Sequence, residues 1–71
     1  MTNLEINKDL AEQLLSLSIT LEKTSSKSYI YWNPFKNKQS LLVLGKNNKK
    51  IFDNSLTVEN VSVAQNFCLH Q

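Results

Sequence analysis

The first strong pattern along the chain is an apolar stripe: Leu10, Leu14, Leu17 and Leu21 recur at spacings of four, three and four, with Ala11 and Leu15 widening it. Such spacing gathers side chains on one face of an α-helix and predicts an amphipathic helix from about residue 8 to 23. Asn7 is a suitable N-cap, Asp9 in the first turn favours the positive end of the helix dipole, and Ile6 is placed to staple onto Ala11. A second period competes with this one. Residues 15–22 (LSLSITLE) also alternate apolar and polar with period two, and Ser, Ile and Thr are poor helix formers. If that period prevailed, the helix would stop near Leu15 and residues 16–23 would pair with 27–33. Nothing between Leu15 and Ser16 resembles a helix stop, so the helix is preferred. Thr24, Ser25 and Ser26 form a connecting loop in either case.

Ser28 to Asn33 is rich in aromatic and β-branched residues, which fit a pleated, half-buried surface. Pro34 ends this strand, because it has no N–H for a ladder and restricts Asn33 before it. Asn33, Pro34, Lys36, Asn37 and Lys38 make a polar turn with Phe35 lodged in it. Gln39 to Gly45 follows, and its run Leu41, Leu42, Val43, Leu44 is apolar on both faces, as suits a central strand covered from both sides. Gly45 to Lys49 is the next turn, with Gly and Asn able to take positive φ. Lys50 to Asp53 returns as a short edge strand whose lysines discourage edge-to-edge pairing. Asp53, Asn54 and Ser55 then turn the chain into Leu56 to Gln71, where Val58, Val61, Ala64 and Cys68 fall at helical spacing with Thr57 available as cap. The expected fold is α+β in the order α-β-β-β-α: an N-terminal amphipathic helix, a three-stranded antiparallel meander and a C-terminal helix.

Composition narrows the class of protein. A chain of 71 residues has room for one small domain spanning 1–71. A domain of this size buries only about 60% of its unfolded surface, so a second molecule would add considerably to its stability. One cysteine makes no internal disulfide, and the longest apolar run is four residues, too short for a signal peptide or a membrane span. A cytoplasmic protein without a membrane contact is therefore expected, and the Asn60-Val61-Ser62 sequon is most simply a coincidence. The net charge of +2 hides an asymmetry: residues 23–52 hold seven lysines and no acid, while the flanks are acidic.

Catalytic chemistry lacks its parts. His70 is the only histidine and stands beside the end of the chain, and Cys68 with His70 supplies two ligands where zinc needs three or four. Asp9 and Glu12 read as solvated partners of a helix dipole, and a single glycine leaves no phosphate loop. No catalytic residue, metal ligand, cofactor or small-molecule substrate is assigned. Two functions remain. The first is a non-enzymatic regulator or inhibitor that binds another protein or itself as a homo-oligomer, through Leu10, Leu14, Leu17, Leu21, Tyr29 and Tyr31. The second is a sequence-tolerant nucleic-acid binder using Lys27, Tyr29, Tyr31, Lys36 and Lys38, in which the tyrosines offer bases a stacking surface and the lysines hold phosphates. On a strand Tyr29 and Tyr31 share one face while Ile30 and Trp32 share the other. The acidic flanks and the absence of arginine rank this second function below the first.

Overall fold

The computed structural model describes residues 7–70. Their order is α1 (Lys8–Thr24), β1 (Lys27–Asn33), β2 (Lys38–Leu44), a short 3-10 turn (Lys46–Asn48), β3 (Lys50–Ser55) and α2 (Val58–Leu69). This is the α-β-β-β-α arrangement of an α+β fold. The helical period wins in α1 because Leu10, Leu17 and Leu21 are buried together, with Thr20 beside them. Its hydroxyl residues adapt to the helix by bonding backward. Ser18 Oγ donates to the Leu14 carbonyl, Thr20 Oγ1 to that of Ser16 and Thr24 Oγ1 to that of Thr20, at 3.0, 3.3 and 2.9 Å. At the start, Asn7 Oδ1 accepts from the Leu10 N–H at 2.8 Å, capping as expected. The proposed staple by Ile6 lies outside the described residues. Ser25 ends the helix in the left-handed region at φ 56°, and the Ser26 N–H donates to the Leu21 carbonyl at 3.1 Å in the Schellman manner.

The three strands form an antiparallel sheet in the order β1-β2-β3, with β2 central. β1 and β2 pair from Lys27↔Leu44 to Asn33↔Lys38. The turn that joins them is fastened by Asn33, whose Oδ1 accepts from the N–H groups of Phe35 and Lys36 at 3.0 and 3.3 Å. β2 and β3 pair from Ser40↔Ser55 to Leu44↔Lys50, with a bulge opposite Val43 and Leu44. Two details differ from expectation, the end of β3 and the place of positive φ in the β2–β3 turn. Asp53, Asn54 and Ser55 are not a turn but the end of β3, since Leu41 and Ser40 of β2 continue the ladder opposite them. The closing helix begins at Val58, as the Thr57 cap predicts, with Thr57 Oγ1 accepting from the Asn60 N–H at 3.0 Å. In the β2–β3 turn the positive φ falls on Asn47 and Asn48, while Gly45 stays extended at φ −92°.

Both helices pack on one another and on one face of the sheet. The core contains Leu10, Leu17 and Leu21 of α1, Leu41 and Val43 of β2, Phe52 of β3, Leu56, and Val61, Ala64 and Cys68 of α2. Asn60 joins strand to helix, its Nδ2 donating to the Ser55 carbonyl at 2.7 Å, so the sequon asparagine has a structural task. The stripe is narrower than its sequence spacing implied: Ala11 and Leu15 are exposed, Leu15 by 66%. β2 differs more consequentially. Leu41 and Val43 face the helices and are fully buried, whereas Leu42 and Leu44 point to the other face and are only partly buried. The expectation that this strand is covered from both sides therefore fails for the described residues, because both helices lie on the same side.

Candidate functional site

The uncovered face of the sheet is built by alternation. On β1 it carries Lys27, Tyr29 and Tyr31; the register places opposite them Leu44, Leu42 and Ser40 of β2; and β3 adds Asp53 and Ser55 beyond Leu42 and Ser40. Tyr29 is 49% exposed, while Leu42, Leu44 and Tyr31 are intermediate. Ser40 is buried in the middle of this face between its neighbours on both strands. Tyr31 crosses the sheet to donate its hydroxyl proton to Asp53 Oδ1 at 2.7 Å. That hydrogen bond, with desolvation and the carboxylate charge adding to it, raises the phenol above the ordinary tyrosine range. Asp53 Oδ2 also lies 4.0 Å from Lys50 Nζ, an exposed pair of small energetic worth. The result is an apolar centre with a lysine on the β1 side and a carboxylate on the β3 side.

The residues singled out from sequence divide between this face and the interior. Tyr29 and Tyr31 lie on it. Leu10, Leu17 and Leu21 do not; they are buried against the sheet and α2, and Leu14 packs partly against the same core. Their stripe reports the helix face that the protein itself covers, so it offers no surface to a partner, and that assignment is corrected. Leu42 and Leu44 were legible as apolar, but only the positions of the helices reveal that they face outward.

The basic, aromatic segment is also taken apart by the fold. Lys27 and Lys38 stand at opposite ends of the β1–β2 ladder, about 20 Å apart at strand rise, and Lys36 sits in the turn beyond. Tyr31 meanwhile contacts an aspartate, which is unfavourable beside a phosphate. Phe35 at the tip of that turn is 97% exposed, and Trp32 is 39% exposed on the helix-bearing side of β1.

At the other end of the molecule the topology collects the C-termini of both helices and the β2–β3 turn. Two open clefts lie there. One of ≈ 340 Å³ is lined by Lys23, Thr24, Ser25, Lys46, Cys68 and Leu69. The other, of ≈ 440 Å³, is lined by Lys49, Lys50, Ile51, Phe67 and His70. Burial pushes the Cys68 thiol up from its ordinary value, with a hydrogen bond to Ser26 acting the other way. Among the described residues no group of three or more His, Cys, Asp and Glu side chains is arranged to hold a metal ion. Nor is any described helix long and apolar enough to cross a membrane. No family model, curated protein or solved structure matches this chain.

Proposed function

We propose that this chain is a small non-enzymatic regulatory or inhibitory protein that acts in the cytosol by binding protein, and that its uncovered sheet face is closed by a second copy. One observation carries this reading: a three-stranded sheet with both helices on one side, and Tyr29, Leu42 and Leu44 left on the other. An apolar sheet face is stabilised by removing it from water, at about 25 cal/mol per Å² of apolar area covered. Charge supports a copy of the same chain as the occupant. A two-fold axis parallel to the strands stacks β1 of one protomer over β3 of the other, setting the β1 side that bears Lys27 against the β3 side that bears Asp53. A reduced, buried Cys68 fits a reducing compartment.

The face measures about 15 by 20 Å from strand spacing and rise, small beside a standard interface, so the dimer dissociates in the micromolar range. Its thermal midpoint accordingly rises with protein concentration. Replacing Leu44 by Lys places an ammonium group in the apolar centre and makes the midpoint independent of concentration. A wild-type midpoint constant over a hundredfold range of concentration would contradict the proposal.

A further inference from the structure

We infer that the end of the molecule formed by the α2 C-terminus and the β2–β3 turn is a binding site for single-stranded nucleic acid. The inference does not depend on the dimer, since it uses none of the outer-face residues. Its first basis is charge. Lys23 and Lys46 line one cleft and Lys49 and Lys50 the other, with Phe67, Cys68 and Leu69 of α2 forming the wall between them. Of these four cations, Lys50 alone has a carboxylate of the described residues within 4.0 Å, that of Asp53, which also accepts from Tyr31. An anionic chain crossing the wall meets cations on both sides of it.

Its second basis is the ring in the larger cleft. Phe67 is 49% exposed yet held in place by an edge-on contact with the buried Phe52, their centroids 6.0 Å apart at 64°. An exposed, fixed aromatic ring beside Lys49, Lys50 and His70 gives a base a surface to stack on and its phosphates a counter-charge. Both clefts fall within the roughly 300–1,000 Å³ span of small-ligand sites, enough for one nucleotide each. The absence of arginine from the chain removes bidentate reading of guanine edges, so the recognition is sequence-tolerant. This site is distinct from the Lys27–Lys38 segment that the sequence pointed to. The aromatics and lysines that come together in space are distant in the chain.

Fluorescence anisotropy with a labelled oligothymidylate of about fifteen nucleotides tests it. Contacts to three or four phosphates predict a slope of log affinity against log salt of about −2 to −3. Replacing Lys46 and Lys49 together by Gln is expected to weaken binding at least about tenfold at low salt and to flatten the slope by about 1.4. Phe67→Leu, which keeps an apolar group against Phe52, is expected to lose about five- to tenfold through the missing stack. The Lys36→Gln, Lys38→Gln double variant at the opposite end is expected to bind as wild type. Circular dichroism of each variant establishes that it is folded, and the lysine variants serve should Phe67→Leu unfold. Absence of binding at low salt overturns the inference. So does equal loss in the Lys36, Lys38 variant, or binding of polyglutamate as tight as that of the oligonucleotide, which would mark an unselective cationic surface or a site for acidic peptides.

Discussion

Tyr31 and Asp53 connect the two edge strands across the outer face, and the direction of the tyrosine shift gives this contact a pH signature. The folded protein holds the phenolic proton more tightly than the unfolded chain does. The stabilisation is therefore fully present below the ordinary tyrosine range and is lost as pH rises through the folded value. Spectrophotometric titration should show Tyr31 ionising after an ordinary tyrosine, and Asp53→Asn should bring it back toward the usual range. A Tyr31 whose titration is the same in both proteins would mean that the hydrogen bond does not form in solution. Cys68 provides a second residue-level check. The thiol is 1% exposed and its ionisation is opposed by burial, so a thiol reagent at neutral pH must wait for the structure to open. Slow modification of the native protein that accelerates steeply with denaturant is expected; rapid native modification would place the residue at the surface.

Element boundaries depend on how local preference and burial combine. In α1 the two periods written into residues 15–22 are both physically sensible, and what separates them is the interior supplied by Leu41, Val43 and Val61, tens of residues away. Capping signals were legible because they are local: Asn7 and Thr57 each accept from the N–H three residues on. The end of β3 was not, because Asp53, Asn54 and Ser55 form a strong turn sequence and are held extended by pairing with β2. Likewise the leucine stripe was correctly found but wrongly assigned to a partner, since spacing identifies an apolar face without saying what covers it. Two consequences can be measured by chemical denaturation. Ser25 occupies a left-handed position at φ 56°, where a side chain is unfavourable, so Ser25→Gly should stabilise the protein by about 1 kcal/mol. Leu17, 1% exposed, should lose about 2–5 kcal/mol on replacement by Ala, enough to unfold much of a domain this small.

At the scale of the whole molecule the decisive fact is that both helices lie on one side. A helix on each side would have covered β2 completely, as its four consecutive apolar residues led one to expect. With α1 and α2 packed against each other, Leu42, Leu44 and Tyr29 lie on a face that no element of the described residues covers. The two edges of that sheet also differ. β3 carries a bulge and Lys50, both of which discourage strand addition, while β1 offers seven regular residues with a lysine only at its first position. Association is thus expected face to face on the outer face, and any strand addition at the β1 edge rather than at the β3 edge. Sedimentation equilibrium of the wild type and of Leu42→Asp, over roughly micromolar to several hundred micromolar protein, tests this most directly. The wild type should move from the 8.1 kDa chain mass toward twice that value as concentration rises, and the variant should stay folded and monomeric throughout. A wild type that remains at the single-chain mass across the whole range, or a dimer that Leu42→Asp leaves intact, would contradict the assignment of the open face.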